Sequence, residues 1–105
     1  MSDRDAAELY GRGLRALQAQ RVDEAVKWWE LLWASRPDYR DVAGNLKREY
    51  LTRGIELFAA GRLDEATAEW ERVLRVDPND ERARGYLARA ETQRTRSREI
   101  LEARR

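Results

Sequence analysis

Apolar residues recur at helical spacing along most of the chain, and the pattern predicts five helices and no strand. Ser2 or Asp3 is placed to cap a first helix, with Asp5 and Glu8 near its positive end. Its apolar residues are Leu9, Gly13, Ala16 and Leu17, with an adjoining stripe of Tyr10, Leu14 and Leu17. After a short turn at Gln20-Arg21, Asp23 is expected to cap a second helix through Val26, Trp29, Leu32 and Trp33. Pro37 ends that helix. From Asp38, the residues Val42, Leu46, Tyr50, Ile55, Leu57 and Phe58 keep the rhythm up to Gly61, which reads as a terminal glycine. The third helix is thus expected to exceed roughly 20 residues, with a weak point at the poor helix formers Gly44-Asn45. Asp64 is expected to cap a fourth helix carrying Ala66, Trp70, Val73 and Leu74 up to Asp77-Pro78. A fifth, from about Asp80, shows Ala83, Tyr86, Leu87 and Ala90, then only Ile100-Leu101.

The same residues recur at one offset of 41 positions. Asp23-Glu24-Ala25 falls on Asp64-Glu65-Ala66, Gly13 on Gly54, Leu14 on Ile55, Leu17 on Phe58, Trp29 on Trp70 and Pro37 on Pro78. Such self-similarity marks a repeat architecture. In helices that approach to about 8–10 Å, small residues at Gly13, Gly54, Ala25 and Ala66 let the axes close. Trp29 and Trp70 are expected to fill the space between successive helices.

These residues resemble the tetratricopeptide repeat, a helix–turn–helix unit of about 34 residues. One repeat covers residues 6–39, with Leu9, Gly13, Ala16, Ala25, Trp29 and Pro37 at signature positions. The other covers 47–80, with Tyr50, Gly54, Leu57, Gly61, Ala66, Trp70 and Pro78. The resemblance implies an all-α domain over residues 1–105, with antiparallel helix–turn–helix repeats. Residues 40–46 would be a helical insertion lengthening the third helix, and 81–105 a capping, basic C-terminal helix. Departures are visible: Arg12 and Arg53 stand where the family commonly has leucine, and Leu32 and Val73 where it has alanine.

Charge adds a polarity along the chain. Net charge is +1, which argues against a protein built chiefly to bind nucleic acid. Residues 1–81 nevertheless carry 13 basic and 17 acidic side chains, whereas 82–105 carry 8 and 3, so a basic end follows a slightly acidic body. No aromatic residue follows Tyr86 to stack on a base. No run approaches the roughly 18 apolar residues of a membrane span. The N-terminus is acidic and amphipathic, unlike a secretory leader. The expectation is a cytoplasmic protein, and a piece of a longer chain would read the same.

The chemistry of catalysis is poorly supplied. There is no histidine and no cysteine, hence no common general base near neutral pH, no thiolate nucleophile and no disulfide. Gly11-x-Gly13 falls inside a helix and lacks the partners of a phosphate loop. The sequence therefore predicts no enzyme, no cofactor, no metal site and no small-molecule substrate.

In tetratricopeptide proteins the first helix of each repeat lines a groove that takes peptides or helices. By position, the resemblance implies partner-binding residues Tyr10, Leu14, Leu17 and Gln18 in the first repeat. It implies Arg48, Leu51, Ile55, Phe58 and Ala59 in the second, and Arg82, Arg89 and Gln93 in the closing helix. The family's carboxylate clamp uses lysine and asparagine where this chain has Tyr10, Leu14, Leu51 and Ile55, so that activity is not expected. The stripe reads equally as core beneath the long third helix or the tail. Trp28, beside Trp29, should point outward as an interface anchor. The expected function is a non-catalytic scaffold or adaptor for a protein or peptide. The alternatives are homo-oligomerisation through the same face, and anion binding (nucleic acid or acidic lipid) by the arginine-rich end.

Overall fold

The computed structural model describes residues 1–104; Arg105, the last residue of the expected closing helix, lies outside them. The described residues form five α-helices and no strand: α1 Asp3–Gln18, α2 Val22–Ser35, α3 Val42–Ala59, α4 Leu63–Val76 and α5 Glu81–Ala103. The chain divides into two compact units, Met1–Glu49 and Tyr50–Arg105, and the division falls inside α3.

In the first unit, Ser2 caps α1 by accepting the Asp5 N–H at 3.1 Å, with Asp3 and Asp5 in the positive first turn. Past the end of α1, Gln20 turns the chain with a φ of 61°, in the left-handed region. Gly61 repeats this at the end of α3 with φ 79°, as a terminal glycine should. Both turns close identically: Arg21 N–H donates to Ala16 O at 2.8 Å, and Arg62 N–H to Leu57 O at 2.9 Å.

That closure corrects the expected caps. The N-cap residues of α2 and α4 are Arg21 and Arg62, without a side-chain cap, rather than Asp23 and Asp64. Each arginine's N–H completes the turn behind it. Its carbonyl already accepts from the helix ahead, from Ala25 or Ala66, at 3.0 Å. The helices consequently begin before the aspartates, which sit in the first turn and complement its partial positive charge.

The two hairpins are locked by the same pair. In each, the tryptophan's indole lies across the glycine of the facing helix. A Cβ at Gly13 would sit 2.6 Å from Trp29 Cδ1, and one at Gly54 would sit 2.7 Å from Trp70 Cδ1. Trp29 Nε1 donates to Tyr10 O, and Trp70 Nε1 to Leu51 O, each at 3.4 Å. Tyr10 and Leu51 are themselves 41 positions apart, so the repeat persists in its hydrogen bonds. Ala25 and Ala66 are wholly buried beside these indoles, as the small-residue pattern requires.

The linker after α2 departs from expectation. The third helix begins at Val42, so of the expected helical insertion only residues 42–46 are helical. Val42 N–H donates to Tyr39 O at 3.1 Å, and Arg40 takes a φ of 42°. Tyr39 packs edge-on against Tyr10 at 5.9 Å between ring centroids. That contact and the left-handed residue draw residues 38–41 off the helical path. Gly44-Asn45 causes no break, because Asn45 is buried and its side chain is engaged: it donates to Tyr10 Oη at 3.3 Å and accepts from Arg48 at 3.0 Å.

In the second unit, Asp80 caps α5 by accepting the Ala83 N–H at 2.9 Å. The helix runs antiparallel to α4, and Arg94 reaches Asp64 near the start of α4 at 2.6 Å. Every residue from Thr95 to Arg104 is exposed. No described helix is long and apolar enough to cross a membrane.

Candidate functional site

The expected partner-binding residues separate by unit. In the first, Tyr10 and Leu17 are half-buried, while Leu14, Gln18 and Arg48 are exposed. Tyr10 is held by Tyr39 and Asn45, and the Arg40 guanidinium lies 5.5 Å from its ring centroid. Arg48 is tied to Asn45 and, at 3.2 Å, to Glu49. In the second unit, Ile55 and Ala59 are exposed and Phe58 is half-buried. Leu51, expected on the binding face, is a core residue only 6% exposed, and its carbonyl receives the Trp70 indole. Phe58 leans on Trp70 at 5.8 Å and lines a shallow concavity of about 280 Å³ with Leu63 and Gln93. Arg82 and Arg89 are exposed on α5.

The two inner faces share one feature. Leu14 is 39% exposed and Ile55 is 41% exposed, and they occupy the same repeat position. The helix faces around them bury alanine, glycine and tryptophan, whereas this one branched aliphatic stays open to water in both hairpins.

Trp28 is half-buried rather than fully outward. The Arg12 guanidinium lies 4.9 Å from its ring centroid, close enough for cation–π attraction. Arg12 also donates to Glu8 at 2.9 Å. That hydrogen bond, and then the guanidinium's charge, hold the Glu8 carboxyl below its ordinary value. Trp28 lines a concavity of about 270 Å³ with Arg12, Arg15, Ala16, Arg21 and Glu24. One turn away, Leu31 is 56% exposed.

The second unit places Glu69 where the first has Trp28. Glu69 is 7% exposed; it accepts from Arg72 at 2.8 Å and lies 3.9 Å from Arg53. Arginine at the family's leucine position thus serves both hairpins, covering an indole in one and balancing a buried carboxylate in the other. The unusual arginines were visible in the sequence; their partners were not. Asn45 was likewise visible only as a poor helix former, and no local signal marks it as a bridge.

Trp28→Ala should cost about 1 kcal/mol, the scale of a partly exposed cation–π contact. Trp29→Ala should cost several times more, and urea denaturation of the two variants compares them directly.

No described group of histidine, cysteine, aspartate or glutamate is arranged to hold a metal ion. Among curated proteins and among solved structures, none matches the chain. The family model of the tetratricopeptide repeat matches residues 47–90, which run from within α3 through α4 into α5. That family is in general non-catalytic and mediates protein–protein interaction or scaffolding. Residues 47–90 are thus similar to the tetratricopeptide repeat, and a second glycine–tryptophan hairpin of the same geometry precedes them.

Proposed function

We propose that this chain is a protein-interaction module, a scaffold or adaptor that binds a partner peptide or helix through the inner faces of α1 and α3. The observation that carries this reading is the pair Leu14 and Ile55, one exposed aliphatic at the same place in each hairpin. Apolar surface of this kind gains free energy when a partner removes it from water, at roughly 25 cal/mol per Å². Half-buried Leu17 adjoins Leu14 on α1 and half-buried Phe58 adjoins Ile55 on α3, so each helix offers a partner more than a single apolar side chain. Gln18 and Arg48, exposed in the first unit, would supply polar contacts. A cytoplasmic setting is assumed by this reading.

Leu14→Glu and Ile55→Glu should leave helicity unchanged, because both positions are solvated, and should each lower partner affinity by about tenfold. Capture of the partner by the unaltered chain and by each variant, followed by titration, reads this effect. Equal retention by all three proteins would overturn the assignment. Light scattering across concentration tests the second-copy alternative: a mass that doubles in the unaltered chain and stays monomeric in the variants makes the partner another copy.

A further inference from the structure

The arginines of α5 are not equivalent. Arg94 lies between Asp64 at 2.6 Å and Glu91 at 3.3 Å, and Arg84 donates to Pro78 O at 2.8 Å. These two fasten the helix to its own unit. Arg82, Arg89 and Arg96 are all exposed, and among the described residues none of them has a carboxylate partner. Arg89 touches only the ring of Tyr86, at 5.8 Å from the centroid.

The three are spaced seven residues apart, which on an α-helix puts them on one stripe about 10.5 Å from one another. Of the acids of α5, Glu91 and Glu102 lie at least about 120° round the helix from that stripe. Glu99, three residues beyond Arg96, is about 60° from it, and among the described residues neither Glu99 nor Glu81 forms an ion pair with the stripe. Between Arg82 and Arg89 lies half-buried Tyr86, and with Glu81 and Gly85 these residues line a concavity of about 220 Å³. Gly85 is exposed, and a Cβ built there would meet nothing within 4 Å. Ile100, 56% exposed, continues the stripe past Arg96.

We propose that this stripe docks a helix of a partner protein whose Asp or Glu residues recur every seventh position. The proposal deepens the partner-binding reading above and rests on it. Its basis is charge complementarity in register: any α-helix with acids at that interval presents them at the same spacing of about 10.5 Å. Gly85 lets the partner's backbone approach more closely than a side chain would, toward the lower end of the usual interaxial range of about 8–10 Å. Ile100 supplies an apolar contact at the far end.

Other polyanions fit less well. A single nucleic-acid strand is held partly by bases stacked on aromatic rings. The one ring on this helix, Tyr86, already has Trp70 stacked on it at 5.0 Å and Arg89 over it. An anionic membrane would take the basic stripe but needs a broader apolar face than Ile100 alone.

The test uses the whole chain and two fluorescent helical peptides of identical composition. One carries Glu at every seventh position; in the other the same residues are dispersed around the helix. Three exposed ion pairs in register should make the heptad peptide bind about tenfold more tightly at low salt, by fluorescence anisotropy. The advantage should shrink as salt is raised. Arg82→Gln, Arg89→Gln and Arg96→Gln together should abolish the difference, and circular dichroism should be unchanged because all three side chains are solvated. Equal binding of the two peptides, or a difference that survives the triple variant, would overturn the proposal. So would tighter binding of a DNA oligonucleotide or an anionic vesicle of matched charge. Ile55→Glu should leave peptide binding intact, so loss of the inner-face function and loss of this one are read separately.

Discussion

Trp70→Ala should lower the free energy of unfolding by about 3–5 kcal/mol, a loss comparable to much of a small domain's total of about 5–15 kcal/mol. The indole is 1% exposed and lies across the bare backbone of Gly54. Phe58 leans on it from α3, and Tyr86 stacks on it at 5.0 Å with planes 15° apart. Alanine there leaves a void bounded by a glycine that cannot fill it, and forfeits two aromatic contacts worth about 0.5–1.5 kcal/mol each. Trp29→Ala should fall in the same range, with less aromatic loss, because Trp29 has no stacked ring of its own among the contacts described. Urea denaturation followed by far-ultraviolet circular dichroism measures both. A loss below about 1 kcal/mol for Trp70→Ala would mean that the indole does not hold its hairpin closed.

Gly54→Leu should be comparably damaging, and Gly54→Ala should already be destabilising by about 1–3 kcal/mol. Alanine favours a helix interior over glycine by about 1 kcal/mol, so propensity alone predicts stabilisation. The sign reverses because the added carbon meets the Trp70 ring at 2.7 Å, and that ring is backed by Phe58 and Tyr86. Gly85→Ala makes the contrast sharp. It is the same substitution on an α-helix, but with nothing near the new carbon, and it should raise stability by up to about 1 kcal/mol. Opposite signs at Gly54 and Gly85 in thermal melts are the expected result. Two stabilising changes would show that close approach is not what keeps glycine at Gly54.

Both predictions concern residues whose importance the repeat offset made readable. The binding surfaces were less so. The resemblance puts Leu14, Leu51 and Ile55 alike on the binding face, yet Leu14 and Ile55 are exposed and Leu51 is buried. Helical phase alone does not separate them, since Leu51 and Ile55 are one turn apart on one face of α3. What divides them is coverage, and coverage comes from other elements of the fold. Trp28 shows the same limit. Its phase relative to Trp29 indicated an outward side chain, but Arg12, sixteen positions earlier, folds over it.

The helices themselves followed from local information: apolar spacing, Ser2 as a cap, Gly61 at a left-handed turn and a recurring glycine–tryptophan pair. These depend on backbone preferences and on residues within one or two turns, and the amino-acid order states them directly. Where α2, α3 and α4 begin was decided otherwise. Arg21 and Arg62 are committed to the turns behind them, and Tyr39 is drawn onto Tyr10 before α3 can start. The partners of Arg12, Arg53 and Asn45 were also settled only when distant segments met. A side chain's preference for a helix is local, but its neighbour across the hairpin is set by packing, which no short stretch of sequence contains.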